Sequence, residues 1–559
     1  LFEMEKRLFL VFCLFLILFL SITLRLFYWQ VASFESLKLI ALQQTNISSV
    51  IKAGRGSIFS ADNSPLVINQ PAYLVFAEPK NIKDKQSTIG KLAEILSLDA
   101  ASVSAKFTTD KLSWIPIAEK VEAETAEKLN TAKLAGIGLA QDDKRFYPEA
   151  SMAAHLLGFV GKNQNGEDQG YFGLEGYYDD QLKGRNGYLK EDRDISGNPI
   201  IAGERTFVEA EKGRDLILSL DRTVQYIIED KLKKGLEKYG AIGGSVIVMD
   251  PYKGSILGMA SMPGYDPSKR LEFDLSLYKN PAISSSFEPG STFKVLVMAA
   301  AVNENKVEAD TEFDEKGPVE IGKYQIKTWN QEYHGRIKVP EIIQYSSNVG
   351  MVFIGEKLGS ENLLKYIRDL GFGQLTDIDL QDEGTPNLRP IDKWYAIDFA
   401  TTSFGQGIAA TPLQMIRAVA AIANGGELVK PSVVSKIRDN NGKIISLDHK
   451  IERRIYNTES ASLVKEMMVQ AVEKGETKFL KPIGIRVAGK TGTAQIPIAG
   501  HYDTEKTIAS FVGFLPADKP KFIMLVTLRE PTSSPWGSET AAPLFFTIAR
   551  DLIAYFKIQ

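Results

Sequence analysis

Residues 288–301 read Glu-Pro-Gly-Ser-Thr-Phe-Lys-Val-Leu-Val-Met-Ala-Ala-Ala, so Ser291 and Lys294 stand at the head of an apolar run. In a helix, side chains three positions apart lie on one face. A segment this apolar faces the inside of the protein, and Lys294 then points partly into the body. Burying a lysine is costly unless its amine is paired or neutral. The stretch is therefore either an incidental helix start or a lysine placed to act on a serine.

The flanks of this helix set the fold class. Upstream, residues 216–220 read as a strand and 223–239 as a helix, and 245–250 and 255–261 alternate around Pro251-Tyr-Lys-Gly254, a hairpin signal. Helical signals dominate from 291 to about 425. Three β-rich runs follow, 485–496, 508–514 and 522–528, the last two joined by Leu515-Pro-Ala-Asp-Lys-Pro-Lys. A closing helix over 541–556 carries Leu544, Phe545, Ile548, Leu552 and Ile553. Strands on both sides of a helical block imply an antiparallel sheet covered by helices, an α+β fold.

The N-terminal part is different. Residues 52–59 read as strand and turn with Asp62-Asn-Ser-Pro65, residues 89–98 and 120–129 as amphipathic helices, and 158–187 as glycine-rich loops. A boundary is expected near 211–216, at Glu-Lys-Gly-Arg-Asp. The expected division is 1–32 as tail and membrane anchor, 33–215 as a mixed domain, and 216–559 as the sheet-and-helix domain.

Residues 8–24, LFLVFCLFLILFLSITL, carry no charge, and Leu26-Phe-Tyr-Trp29 resumes after Arg25. A helix over 8–31 spans a bilayer, with Arg25 snorkelling and Tyr28 and Trp29 at the interface. No small-x-small cleavage site follows, which favours an uncleaved anchor over a signal peptide. Lys6 and Arg7 favour a cytoplasmic N-terminus, which places the rest of the chain outside the cytoplasm.

The 559 residues are 44% hydrophobic and 24% charged, enough for several ordinary globular domains. With a net charge of −3 and no basic stripe, nucleic-acid binding has no support. Cys13 is the lone cysteine, so neither an intrachain disulfide nor a thiolate metal cluster can form. The four histidines, His155, His334, His449 and His501, do not pair at metal-ligand spacing, and no Gly-x-Ser-x-Gly elbow occurs. Neither a metal nor a cofactor is expected.

Singly, the motifs are weak. Ser-x-x-Lys recurs at Ser49–Lys52, Ser276–Lys279 and Ser462–Lys465; Ser346-Ser-Asn348 is matched by Ser196-Gly-Asn198. Lys490-Thr-Gly-Thr493 is rarer, but residues 484–491 also fit the Walker A pattern letter for letter. That pattern needs a loop and then a helix facing phosphate. Here Ile485-Arg-Val-Ala488 is strand-like and Pro497 follows closely, which argues against nucleotide binding.

Order and context carry more weight. Ser-x-x-Lys on a buried helix, then Ser-x-Asn in a helical block, then Lys-Thr-Gly-Thr on a strand resembles the penicillin-binding proteins and serine β-lactamases. The likeness extends to Gly244-Ser-Val-Ile-Val-Met-Asp-Pro251, Met259–Pro267, Ser403-Phe-Gly-Gln-Gly-Ile-Ala-Ala-Thr411-Pro-Leu-Gln414 and Thr540-Ala-Ala-Pro543. In the N-terminal part Arg55-Gly56, Arg145-Phe-Tyr-Pro148, Ala154–Gly161 and Gly173-Leu-Glu-Gly176 resemble the family pedestal. The whole is similar to a class B penicillin-binding protein, a monofunctional peptidoglycan D,D-transpeptidase.

The resemblance implies roles. Ser291 is the nucleophile, and Lys294, desolvated and neutral, accepts its proton. Ser346 relays a proton, and Asn348 positions Lys294 and a substrate amide. Lys490 supplies positive charge beside Thr491, Gly492 and Thr493, and the backbone N–H groups of Ser291 and Thr493 form an oxyanion hole. His155 is expected to be structural. Ser60-Ala61 replace the family's Asp-Arg turn, leaving the contacts of Arg55 open. The implied partners are stem peptides, β-lactams, a multispanning membrane glycan polymerase, since 33–215 has no room for a glycosyltransferase, and cell-division proteins. Arg214–Asp221 and Trp394–Gly405 resemble the septal branch rather than the elongation branch. A D,D-carboxypeptidase would use the same residues, whereas a β-lactam sensor needs a cytoplasmic domain for which the residues before the span leave little room.

Overall fold

The computed structural model describes residues 2–38, 46–107, 114–192, 205–498 and 501–559. Ser196-Gly-Asn198, and the side chains of Ser49 and His501, lie outside the described residues. The chain forms two compact units, Leu1–Gly54 with Gly184–Lys212, and Arg55–Lys183 with Gly213–Gln559.

In the first unit, the helix Phe2–Phe27 runs into a π-helical turn, Tyr28–Ala32. Together they are 31 residues, long and apolar enough to cross a membrane, and none is buried. Strand Asn46–Ile51 pairs antiparallel with Gly187–Asp192, which pairs with Arg205–Val208.

The second unit holds a five-stranded sheet, with β1 Gly243–Met249, β2 Ile256–Met262, β3 Ala488–Ile498, β4 His501–Leu515 and β5 Phe522–Arg529. The order is β2-β1-β5-β4-β3, antiparallel throughout, with β3 on one edge. Strand periodicity sorts its side chains onto two faces. Val246, Val248, Phe511, Met524 and Val526 join a core with helices α1 (Arg222–Tyr239) and α6 (Ala541–Tyr555). Their neighbours Ile247, Met249, Val512, Ile523 and Leu525 face the opposite core. That core holds α2 (Lys294–Asn303), α4 (Pro412–Ala423) and α5 (Thr458–Lys474). The result is the helix–sheet–helix layering expected from strands flanking a helical block.

Local differences have local causes. Residues 120–122 finish strand Ile115–Glu122 instead of starting a helix; the helix is Ala123–Ala132. Their alternation is held by pairing with Pro65–Ala77, which amphipathic spacing alone cannot reveal. The β-rich run placed at 485 begins as a strand only at Ala488. The helical block is interrupted by two small antiparallel pairs, Glu312–Glu315 with Gly335–Lys338 and Val319–Ile321 with Tyr324–Ile326. Strand Asp215–Leu218, at the expected boundary, pairs with Ile58–Phe59 on one side and Val434–Arg438 on the other.

Upstream of that strand a charge cluster ties distant segments. Glu175, fully buried, accepts from Arg55 Nε and Arg145 Nε, each at 2.7 Å, and Arg55 also pairs with Asp179 at 2.7 Å. Arg55 therefore finds partners without the family's Asp-Arg turn, and Ser60 builds its own turn by donating to Asp62. Burial alone would raise the Glu175 carboxyl, yet the two guanidinium groups outweigh it and hold it below the usual range. A depressed carboxylate stabilises the fold above its unfolded pKa, and this contribution is lost as pH falls through the lowered native value. Glu175→Ala leaves two buried arginines facing each other and is expected to cost about 3–5 kcal/mol, read as a fall in the urea midpoint. An unchanged midpoint would show that the cluster is not holding these segments. His155 is structural in its contacts: its Nε2 bonds Leu277 O at 2.9 Å, its ring meets Tyr265 edge-on, and burial depresses it to about 4.

Candidate active site

Pro289 and the 3₁₀ turn Gly290–Thr292 lead into α2, whose residues Lys294 to Val302 are all buried. Two glycines let this turn lie against β3. Gly290 has φ +53, and a Cβ there would meet Thr493 O at 2.9 Å; a Cβ on Gly492 would meet Ser510 Oγ at 2.4 Å and Thr292 Cγ2 at 2.8 Å. Ser291, at the turn, is partly exposed.

Lys294 is fully buried. Its Nζ donates to Ser346 O, to Ser346 Oγ at 3.3 Å and to Asn348 Oδ1 at 2.8 Å. It is thus seated by the Ser-x-Asn segment rather than bonded to Ser291. Burial, reinforced by the Lys490 cation, pushes the Lys294 amine well below the usual lysine value, against opposing pulls from Glu476 and Glu315. The lysine of the opening stretch is therefore a desolvated amine with hydrogen-bond acceptors, its charged form disfavoured by burial.

The segment that seats it is locally strained. Ser346 adopts φ +56, a left-handed conformation that costs a non-glycine residue about 1–3 kcal/mol. Ser347 ends the break as N-cap of α3 (Asn348–Leu358), its hydroxyl accepting from Gly350 N at 2.8 Å. Asn348 also donates through Nδ2 to Lys327 O at 3.0 Å, so one of its amide protons is engaged within the protein.

On the opposite wall, Thr491, Gly492 and Thr493 face a cleft of about 310 Å³ shared with Ser291, Ser346 and Asn348. Lys490 lies behind that wall, 4% exposed, with Nζ 3.1 Å from Thr491 Oγ1. Burial lowers it to about 8, opposed by Glu476, so it is mostly charged at neutral pH. All eight residues singled out in the sequence thus belong to one site. Ser276 and Lys279 are exposed and Ser462 sits on the surface of α5, so these Ser-x-x-Lys matches build nothing comparable. β3 continues from Lys490 through Ile498, so no helix follows to bind phosphate and the Walker A match is one of letters only.

Sequence reading missed two features of the cleft. Trp329 and Trp536 meet edge-to-face at its mouth, centroids 5.1 Å apart. Glu476, just past α5, lines the cleft and accepts from Thr491 Oγ1 at 3.5 Å. Neither belongs to a short motif, and only the fold brings them to the site.

Residues 244–553 match the family model of the penicillin-binding protein transpeptidase domain, and 50–218 match that of the penicillin-binding protein dimerisation domain. The chain belongs to the penicillin-binding protein transpeptidase family. It is 35% identical to stage V sporulation protein D of Bacillus subtilis, over 98% of this chain and 85% of that one. It is 31% identical to the peptidoglycan D,D-transpeptidase FtsI of Buchnera aphidicola, over 98% and 94%. Among solved structures it resembles a peptidoglycan synthetase of Bifidobacterium adolescentis, at 26% identity and TM-score 0.74 over 92% of this chain and 97% of that one. Penicillin-binding protein 3 of Mycobacterium tuberculosis, complexed with aztreonam, gives 25% and 0.71 over 91% and 98%.

Proposed function

We propose that the protein cross-links peptidoglycan stem peptides through an acyl-enzyme on Ser291. The observation that carries this reading is the amine of Lys294, buried, depressed and held by Ser346 and Asn348 in the cleft that exposes Ser291. Ser291 Oγ attacks the penultimate D-alanine carbonyl of a donor peptide as Lys294 takes its proton. The C–N bond breaks, Ser346 passes a proton to the departing D-alanine amine, and the ester waits on Ser291. An amine from a second stem peptide then attacks the ester and restores the serine. Lys490 and Thr491 attract the donor's terminal carboxylate, and Ser291 N–H and Thr493 N–H stabilise the oxyanion. A β-lactam presents the same carbonyl and carboxylate and leaves a stable ester.

The functional division in this reading is 1–32 as anchor, 33–215 as pedestal and 216–559 as transpeptidase. The apolar N-terminal helix is a single span with the catalytic part outside the cytoplasm, and a multispanning membrane polymerase supplies the glycan. The septal-type phrases at 214–221 and 394–405 favour a role in division over elongation. Supplied with a pentapeptide donor and an amine acceptor, the purified protein is expected to release D-alanine and join donor to acceptor. D-alanine release with hydrolysis alone would make it a carboxypeptidase; no release would defeat the acyl-transfer reading.

A further inference from the structure

One buried carboxylate beside the cleft has no part in the chemistry described so far. Glu315 ends the short strand Glu312–Glu315 and is wholly buried. One of its oxygens, Oε1, accepts from the Ser347 hydroxyl. The other, Oε2, accepts from His334 N at 3.0 Å and from His334 Nδ1 at 2.9 Å. The His334 ring stacks flat on Tyr345, centroids 3.9 Å apart. These contacts meet in the stretch 345–348, where Ser346 is strained and where the acceptors of Lys294, Ser346 O, Ser346 Oγ and Asn348 Oδ1, originate.

We infer that Glu315 is a positioning residue of the acyl-transfer site, fixing Ser347 so that Ser346 and Asn348 stay seated around Lys294. The inference rests on the acyl-transfer reading above. Ser347 has one proton and must serve two neighbours. It gives the proton to Glu315, which leaves a lone pair for Gly350 N–H, so the carboxylate sets the direction of the helix cap. All the partners of Glu315 are donors, with His334 carrying its proton on Nδ1. Glutamine has one acceptor and one donor end, so it would turn an N–H toward either Ser347 or His334 and leave a donor facing a donor. Aspartate is one methylene shorter and cannot span the same partners. The middle residue of Ser346-Ser347-Asn348, which the motif leaves unspecified, is thereby assigned a task.

Glu315 also acts on Lys294 through charge. The charged groups that bear on Lys294 are Lys490, Glu476 and Glu315; the two carboxylates hold its proton and Lys490 repels it. E315Q and S347A therefore differ in a way that separates positioning from general damage. Both loosen the seat of Lys294, and each is expected to lower the plateau rate of Ser291 acylation by a fluorescent penicillin by ~10–100-fold, the scale of a misplaced reacting group. E315Q also removes a negative charge, so its rate should start to rise at lower pH than in wild type. S347A leaves that charge in place, and its acid limb should stay put. The double variant should be no slower than the slower single one, because both changes break one bond. S347T keeps the hydroxyl and should restore most of the rate.

Rates are measured on full-length protein in detergent, with circular dichroism confirming the fold. Folded E315Q and S347A that acylate as fast as wild type, or an E315Q acid limb that does not move, overturn the inference. If E315Q does not fold, S347A decides: a wild-type rate overturns it, and a loss rescued by S347T sustains it. A wild-type protein that takes no label at Ser291 defeats the functional reading instead, which keeps the two failures apart.

Discussion

Ser291→Ala abolishes covalent labelling of the folded protein by penicillin, and mass mapping of the wild-type adduct finds it on the peptide bearing Ser291. The expectation is total loss, because the ester has no other atom to form on. Three hydroxyls compete for the role. Ser346 is buried and lies against the amine of Lys294. Ser462 is exposed on α5 and is not among the residues lining the cleft. Ser291 is partly exposed, sits in a turn held against β3 and lines the cleft opposite Thr491 and Thr493. Alanine there removes one oxygen from a partly exposed turn and should leave stability nearly unchanged. An adduct on Ser346 or Ser462, or undiminished labelling of Ser291→Ala, would refute the assignment.

Lys294→Arg should slow acylation by ~10²–10⁴-fold, the scale of losing a general base. Arginine preserves the charge and can still donate hydrogen bonds, but it does not give up its proton in proteins. The wild-type pH profile carries the same information. Below the depressed value of Lys294 the amine is protonated and cannot accept the serine proton, so the rate rises as pH climbs through that value. Above about 8, Lys490 begins to lose its own proton, and the attraction for a ligand carboxylate falls with it. A bell-shaped profile is expected, with its acid limb well below the value of a free lysine. Near-normal acylation by folded Lys294→Arg would make Lys294 a structural residue and turn attention to Ser346 as proton acceptor.

Much of this site could be read before any fold was known, and the reason is chemical. Lys294 heads an apolar run, so its burial follows from its neighbours. Lys490 to Thr493 are flanked by β-rich sequence, so their place on a strand follows as well. What could not be read lies on residues without a local signature. Glu315 and Glu476 are single carboxylates among many, and Trp329 and Trp536 are far apart in the chain. The left-handed turn at Ser346 is carried by a residue type that does not favour it, because tertiary contacts rather than propensity hold it there. Arg55 shows the converse: the expected local turn was absent, yet the buried Glu175 and nearby Asp179 supplied its partners.

The position of β3 at the rim of the sheet has one more consequence. Strand order ends there, so among the described residues no strand pairs with one side of its backbone beside the cleft-lining Thr491, Gly492, Thr493 and Gln495. An open rim of unpaired amide and carbonyl groups is a template for strand addition, which proteins usually blunt with charge, proline or a covering loop. Pro497 lies further along the same strand, and the nucleophile turn and Gly537 pack closely against Gly492. On the function proposed above, an extended donor peptide would complete the sheet as a sixth, transient strand, with main-chain bonds supplying affinity whatever its side chains are. The hazard of self-association and the ability to hold a peptide in register for acylation would then share one physical origin.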